Sequence, residues 1–581
     1  MWIIETDSES CRDCYKCLKE CPVKAIRFEK AVSKIVEERC IVCGNCIKVC
    51  PQGAKKDISF LDEVKHLVKS DKTVIASLAP SFAAYFKKEY WGKMCSLLKK
   101  IGFDYVEETA FGAYYTAMAL KKELLKDNER DFIIGTSCPS SVYLVEKYFP
   151  EFIPNLSKAF SPIITHAKIL KKFYGTDTHI VFISPCVAKK KEISESQYKG
   201  LVDYSISFKE LEEWVEDENI DLSKLDEKPF DRETPGLASL FPIDGGILKT
   251  AAFETDYVSE EYISISGADN IIRFLKNYDR SKYPSLKFVD FLMCEGGCIN
   301  GPLVWKNFSL ENKINIIRYQ KEKTKKSKIV FPQVSDSELD EFLERKYENL
   351  EVNEKQYSEE EIRKILHRTG KYTKEDELNC GSCGYPTCRD KAIAVLNGMA
   401  ETEMCIPYMR KKAESFSNLI IEHTPNGVIV VNYQLKIINT NPAFKKIFSI
   451  PKEKDLAGES LKMIIGDVAP FIEADTRKSF INKKVYYKNY DKWIDLITYP
   501  MIDEKLIVGI FRDITEKEKQ SLKLEKVRKE ITEKTQDVVL KQMRVAQEIA
   551  SLLGETTAET KAMLSKFAKI MSNFDNEENE S

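Results

Sequence analysis

Hydrophobic positions change their spacing several times along this chain. Between residues 61 and 345, short apolar runs alternate with longer amphipathic stretches. Thr73-Val-Ile-Ala-Ser-Leu-Ala predicts a strand ending at Pro80, and Asp131-Phe-Ile-Ile-Gly one ending at Thr136-Ser137-Cys138-Pro139. His179-Ile-Val-Phe-Ile-Ser predicts a strand ending at Pro185-Cys186, and Leu286-Lys-Phe-Val-Asp-Phe-Leu one ending at Met293-Cys294. Helical spacing follows Cys138 and Cys186. Strands alternating with helices in this way mark an α/β fold with parallel strands. Short strands and helices alternate again between Ser415 and Glu516, including Pro425-Asn-Gly-Val-Ile-Val-Val and Asn439-Thr-Asn-Pro-Ala-Phe. Beyond Glu516, apolar residues recur every seven positions, at Leu524, Ile531, Val538, Val545 and Leu552. The companion positions are mixed, with Val527 and Ile549 but also Lys534 and Lys541. That pattern predicts a helix able to pair in parallel with a second copy, or else a single amphipathic helix packed on another domain. The polar tail Asn576–Ser581 is expected to be disordered.

At 581 residues the chain is long enough for several domains. The 89 Lys and Arg against 91 Asp and Glu leave a net charge of −2, which argues against nucleic-acid binding. No apolar run approaches the roughly 18 residues of a membrane span. The opening MWIIETDSES lacks the basic start and apolar stretch of a secretory signal. A cytoplasmic protein with no membrane association is expected.

The 17 cysteines change the picture most. An odd number in a long chain fits a secreted disulfide framework poorly. Two runs share one pattern, each closed by Pro: Cys11-x-x-Cys14-x-x-Cys17-x-x-x-Cys21-Pro22 and Cys40-x-x-Cys43-x-x-Cys46-x-x-x-Cys50-Pro51. Three closely spaced thiolates wrap one cubane, and the fourth crosses to the other. Cys11, Cys14, Cys17 and Cys50 are therefore assigned to one [4Fe-4S] cluster, and Cys40, Cys43, Cys46 and Cys21 to a second. A pair of zinc sites would not need two complete copies, each with its Pro. The segment resembles bacterial two-cluster ferredoxin domains, which relay electrons.

Three of the predicted strands deliver cysteines to their carboxyl ends, the edge where ligands bind in such sheets. Cys138, Cys186, Cys294 and Cys298 would converge there from distant parts of the chain, whereas Cys95 lies in an apolar helical pattern as a core thiol. Thr136-Ser137-Cys138-Pro139, Pro185-Cys186-Val-Ala-Lys189-Lys-Lys-Glu192 and Cys294-Glu-Gly296-Gly297-Cys298 resemble the three signature motifs of the [FeFe] (iron-only) hydrogenase catalytic domain. The resemblance runs in order over residues 1 to 305. It implies that Cys138, Cys186, Cys294 and Cys298 hold a [4Fe-4S] cluster. It also implies that Cys298 bridges to a di-iron subcluster carrying CO and cyanide, where H2 is split or made. Lys189 would donate to a cyanide, as an ammonium suits a bound anion. Asp244-Gly245-Gly246 resembles the family's turn near the di-iron site, or is an ordinary tight turn.

The departures are informative. The family's proton-shuttling cysteine before the first ligand is Ser137 here, and a hydroxyl is far less acidic than a thiol. Ser184 and Leu292 stand where methionines are usual. Ser157 and Glu192 occupy positions the family uses for proton-path groups. These changes resemble the sensory subgroup of the family, not the high-turnover enzymes.

Cys380-Gly-Ser-Cys383-Gly-Tyr-Pro-Thr-Cys388, with Cys405 at the end of a predicted helix over 390–403, resembles a small [4Fe-4S] domain. A four-thiolate zinc site has similar needs. The charged segments Lys321–Lys326 and Glu351–Glu361 read as solvated. Asn-Pro-Ala-Phe and the closing Arg-Asp-Ile-Thr-Glu resemble PAS sensor domains, for which neither heme nor flavin can be argued.

The expected architecture is an α/β multidomain chain. It has a ferredoxin-like domain at 1–60, a two-lobed α/β hydrogenase domain with parallel sheets at 61–345, and a linker with a small helical Fe-S domain at 346–412. An α+β PAS domain at 413–516 and a coiled-coil helix with acidic tail at 517–581 complete it. The resemblance implies an anaerobe's iron-sulfur protein of low H2 oxidation and proton-reduction activity. Such a protein senses H2 or redox state and relays it through four clusters to PAS, a homodimer and a downstream signalling protein. The alternatives are a catalytic hydrogenase exchanging electrons with ferredoxin or another redox protein, and an Fe-S electron-transfer or assembly protein lacking the di-iron site. A histidine kinase is not expected, because no histidine follows His423.

Overall fold

The computed structural model describes residues 2–29, 31–127, 129–252, 259–304, 309–326, 334–553, 561–563 and 565–566. The tail Asn576–Ser581, expected to be disordered, lies outside the described residues. The chain divides into two compact units, Met1–Met409 and Arg410–Ser581.

The first unit opens on a ferredoxin-like domain with four short strands: β1 (Ile4–Thr6), β2 (Ile26–Glu29), β3 (Val32–Ile35) and β4 (Lys55–Asp57). β1 pairs antiparallel with β4, and β2 with β3. Between them the two cysteine runs adopt one repeated backbone. Asp13 and Val42, and then Tyr15 and Gly44, sit at matching offsets in the left-handed region. Tyr15 and Gly44 each precede a short helix, Lys16–Lys19 and Asn45–Val49.

The next strands are β5 (Val74–Leu78), β6 (Tyr105–Glu108), β7 (Ile133–Ile134), β8 (His179–Ile183), β9 (Tyr204–Ile206), β10 (Tyr262–Ser266) and β11 (Phe288–Leu292). They form two parallel sheets, ordered β6-β5-β8-β9 and β10-β11-β7. This is the two-lobed α/β arrangement expected from the sequence. β5, β8 and β11 are apolar on both faces, as strands covered by helices on both sides must be. The strand expected over Asp131–Gly135 is only two residues long. Cys95 is buried on the helix Met94–Lys100, as its apolar surroundings suggested.

Of the two charged segments, Glu351–Glu361 is exposed along nearly its whole length, whereas the other is not simply solvated. Lys321–Lys326 closes the helix Ser309–Lys326, and Lys323 reaches the fully buried Glu108. Residues 345–352 form a strap along the helix Pro139–Tyr148. Leu350 N–H donates to Glu146 O at 3.0 Å and Val352 N–H to Lys147 O at 2.9 Å. The helix expected over 390–403 is shorter, Cys388–Leu396, followed by a single turn, Thr402–Met404. Asn397-Gly398 interrupts it, with Gly398 in the left-handed region that ends helices.

The second unit holds a five-stranded antiparallel sheet built from β12 (Gly427–Asn432), β13 (Ile437–Thr440), β14 (Ile481–Tyr487), β15 (Lys492–Met501) and β16 (Leu506–Asp513). Its order is β13-β12-β16-β15-β14. Helices Pro442–Ile447, Leu461–Ile465 and Ala469–Arg477 complete it over a core of Phe444, Phe448, Phe471 and Phe511. Asn441 explains the Asn-Pro-Ala-Phe step. Its Oδ1 caps the first helix at Phe444 N–H (2.9 Å) and accepts from Val428 N–H (2.8 Å), while its Nδ2 donates to Ile421 O and Asn426 O. The helix Thr515–Leu553 follows, 39 residues and roughly 58 Å long at 1.5 Å per residue. Among the described residues no helix is long and apolar enough to cross a membrane.

Candidate metal centres

Each of the sixteen clustered cysteines falls into a set of four. Cys11, Cys14, Cys17 and Cys50 line one small cavity of about 20 Å³, with Ser33 and Lys55 in its wall. The crossing of the fourth cysteine, read from spacing, is thus the arrangement of the fold. Cys21 faces Cys40, Cys43 and Cys46. Burial raises the Cys46 thiol, and Cys43, Cys40 and Cys21 raise it further. Burial pushes the Cys40 thiol up to about 12, Cys21 again adding to it. Backbone N–H groups already point at these sulfurs, Ala25 to Cys21 Sγ and Val42 to Cys40 Sγ, both at 3.3 Å. Donors aimed at buried, mutually repelling thiolates are what an iron-sulfur cubane requires.

The third set belongs to the two-lobed domain. β7 leads to Cys138, which caps the helix Pro139–Tyr148, and β8 leads to Cys186, which caps the helix Val187–Glu192. β11 leads to Cys294 and Cys298. Gly297 between them has φ +102°, and a Cβ there would lie 2.3 Å from Pro242 O. Only glycine lets the Pro242–Gly246 loop close on this motif. The bridge Ile243–Gly297 and the bond from Ser266 Oγ to Asp244 Oδ2 (3.3 Å) hold that loop. Burial raises the Cys294 thiol, with Cys298, Cys186, Cys138 and Cys43 adding to it. Cys186 is pushed up to about 11, by burial and then by Cys138.

The four sulfurs are partly buried and would repel one another as thiolates, and bound iron would supply positive charge beyond that of the nearby Lys189. Cys138, Cys186 and Cys298 also line a cavity of about 90 Å³. That is several times the roughly 10–15 Å³ needed by one water. Ser137, Ser184, Lys189 and Asp290 share its wall. The residues present fit a cluster with a further ligand group beside it.

Lys189 is buried, and its Nζ donates to Glu192 Oε2 at 2.7 Å. Ser161 Oγ donates to the same oxygen at 2.8 Å, and Arg345 pairs with Oε1 at 3.2 Å. Glu192 therefore stands behind the wall as an anchor for Lys189. Ser157 is not brought to the cavity. Its hydroxyl donates to Glu123, itself paired with Arg130 at 2.8 Å.

Sequence reasoning passed over Asp290. It is fully enclosed in β11, and Oδ1 has no hydrogen-bond partner among the described residues. Burial, with the Asp244 carboxylate adding, pushes its carboxyl up to about 7. The available signal was an Asp in the middle of an otherwise apolar parallel strand, Phe-Val-Asp-Phe-Leu. Arg345, at the last position of the expected hydrogenase domain, was passed over too, because no motif surrounds it.

The fourth set, Cys380, Cys383, Cys388 and Cys405, lines a cavity of about 20 Å³ walled by Lys371 and Lys391. Lys371 Nζ lies 3.3 Å from Cys405 Sγ. Among the described residues no three His, Cys, Asp or Glu side chains gather closely enough for a single metal ion.

Comparison with known proteins agrees with these divisions. Residues 72–302 match the iron only hydrogenase large subunit, C-terminal domain, and residues 3–51 the 4Fe-4S dicluster domain. Residues 376–407 match an Fe-S cluster model and residues 425–516 a PAS domain. The chain is 29% identical over 306 residues to iron hydrogenase 1 of Clostridium pasteurianum, covering 43% of this chain and 53% of that protein. The match thus spans about half the length of that relative. A cytosolic Fe-S cluster assembly factor, narfl of Danio rerio, is 22% identical over 51% of this chain and 85% of its own. A solved [FeFe]-hydrogenase, HydA(deltaEFG), aligns at 17% identity with a TM-score of 0.40, covering 51% of this chain and all of that one. The chain is therefore an iron-sulfur protein carrying a hydrogenase-type large-subunit domain, a 4Fe-4S dicluster domain and a PAS domain.

Proposed function

We propose that this chain reads H2 or redox state at a di-iron site in the hydrogenase-type domain and passes it through iron-sulfur sites to the PAS unit, with low H2 turnover. The carrying observation is the largely apolar cavity beside Cys138, Cys186 and Cys298, with Lys189 in its wall. When bound, a di-iron subcluster supplies the redox chemistry of H2 splitting and formation.

The chain's own residues supply the rest. Cys138, Cys186, Cys294 and Cys298 would hold the cluster, with Cys298 the thiolate that would also serve the di-iron group beside it. Lys189, fixed by Glu192, presents an ammonium to a bound anion. Hydroxyls at Ser137 and Ser184 replace stronger acids or soft side chains in the wall, which favours slow proton exchange. Cys11 to Cys50 hold two further cubanes and Cys380 to Cys405 a fourth. None of the seventeen cysteines is in a disulfide, which suits a reducing cytoplasm and electron exchange with a ferredoxin-type donor. On the helix Thr515–Leu553, Leu524, Ile531, Val538 and Val545 are exposed, the row that pairing with a second copy would bury. The paired helices then offer an output surface to a separate signalling protein.

Infrared spectroscopy of the anaerobically matured protein tests the reading. Bands of metal-bound CO and cyanide that shift between H2 and inert gas are expected. A protein with full iron-sulfur content and no such bands would instead be the assembly-type relative, a reading supported by the similarity to narfl.

A further inference from the structure

Chain order places the Cys380–Cys405 site after the hydrogenase-type domain, but the fold returns it to the ferredoxin-like domain. Leu18, Ile26 and Phe28 share one hydrophobic core with Tyr385, Met399 and Met404, and Cys17 is buried in it. Cys21, Cys46 and Cys383 pack at its margin. The contact is close. Gly384 has φ +90°, and a Cβ there would stand 3.0 Å from Leu18 Cγ and 3.3 Å from Lys19 N. Cys383 and Cys17 are the immediate chain neighbours of these touching residues. Lys24 braces the Leu18 side of this contact from within the ferredoxin-like domain, its Nζ donating to Leu18 O (3.1 Å) and Lys19 O (2.8 Å). The Cys21 and Cys383 thiols both act on that ammonium.

The other side of the ferredoxin-like domain meets the hydrogenase-type domain. Cys43 and Cys294 line one cleft with Pro22 and Pro302, and Gly44 lies directly against Pro302. The ferredoxin-like domain therefore stands between the catalytic cysteines and the Cys380–Cys405 set.

We propose that the ferredoxin-like domain is an electron junction. The Cys380–Cys405 site exchanges electrons with the Cys11–Cys50 site across the Leu18–Gly384 contact, and so reports the redox state of that domain whatever the source of its electrons. In the H2 branch, which rests on the reading above, H2 is oxidised to two protons, released at the catalytic site. Its two electrons pass singly along the sites. In the other branch a one-electron donor, itself oxidised by one electron, reduces the ferredoxin-like domain directly, and no proton moves. The C-terminal site then integrates two inputs, H2 and the low-potential electron pool.

The test uses the full, reconstituted chain and electron paramagnetic resonance. In the reduced wild type, spin coupling between the Cys380–Cys405 and Cys11–Cys50 clusters is expected, and its absence overturns the proposal without any variant. In Cys138→Ser, reduced methyl viologen is expected to reduce the Cys380–Cys405 cluster as in wild type, whereas H2 no longer does. In Cys11→Ser, iron analysis should show one cluster missing, and H2-driven reduction of the Cys380–Cys405 cluster should be lost. Retention of the wild-type H2 response there, or loss of the viologen response in Cys138→Ser, overturns the junction. If the infrared bands of the di-iron site are absent, the H2 reading fails alone. The spin coupling and the viologen arm still decide the junction.

Discussion

Glu146 lies on the helix that starts at Cys138 and carries the strap, and its ionisation should tax that helix as pH rises. The side chain is buried, and its Oε1 accepts one bond from Glu348 N–H at 3.0 Å. Burial pushes the carboxyl from its usual 4.5 to about 7, and Glu195 and Glu348 add to this against the opposing pull of that bond and of Arg345. Between those values the folded helix holds a proton that the unfolded chain has released, so stability falls as pH rises through the window. Below pH 4.5 both states are protonated and nothing is lost. Glu146→Gln keeps the acceptor for Glu348 N–H and removes the titration. The variant should gain about 3 kcal/mol over wild type at pH 8 and only about 1.5 kcal/mol at pH 5.5. Hydrogen exchange of residues 139–148 reads this local free energy, which a global melt of a multidomain chain does not. An equal protection difference at both pH values would refute the assigned ionisation. A variant less protected at pH 8 would show that the charged carboxylate stabilises the strap.

His166→Phe removes the Nε2 bond to the fully buried Glu107 (3.1 Å) and the Nδ1 bond to Ser77 Oγ (2.9 Å). A loss of roughly 2–3 kcal/mol is expected, read as faster hydrogen exchange in β5 and β6. Gly509→Ala would place a methyl 2.4 Å from Phe471 Cζ, so the PAS core should lose about 1–3 kcal/mol while iron content stays at the wild-type level. Cys95→Ala should leave iron content unchanged, whereas Cys138→Ala should lower it. Ser137→Cys brings a thiol of pKa about 8.5 to the cavity wall and should raise H2 evolution. An unchanged rate in protein that shows the infrared bands would mean that proton supply at this position is not limiting.

The legible part of the molecule was the part written in short spacing. Two Cys-x-x-Cys-x-x-Cys runs, each completed by the Cys-Pro of the other, predict which thiols come together, because local backbone geometry repeats with the sequence. The strands that end at Cys186 and Cys294 were legible because buried parallel strands are unbroken apolar runs. What escaped depends on pairing over long separations. Arg345 reaches Thr136 O at 2.7 Å and Glu192 from the far end of the hydrogenase-type domain, with no local motif to mark it. Lys323 reads as surface charge until Glu108 is found beneath it. The return of Gly384 to Leu18 spans more than 360 residues, and nothing local to either residue encodes the partner.

Those long-range partners also decide the charge that the cavity presents. Lys189 and Arg345 lie on either side of Glu192, and Glu195 and Glu146 also act on Arg345. Asp290, the other carboxyl at the wall, is held near the point of half-neutralisation by its burial. Arg345 is offset by those glutamates, and the wall itself presents the Lys189 ammonium in a largely apolar pocket, where a cation is costly. An anionic occupant relieves that cost, and a neutral one does not. Leu292, where a thioether could have offered a soft contact, and Ser184 add nothing that opposes an anion. Lys189, which Glu192 fixes beside Cys186, therefore favours a ligand group bearing negative charge beside Cys298, and Arg345 holds Glu192 from a segment whose sequence carries no metal motif.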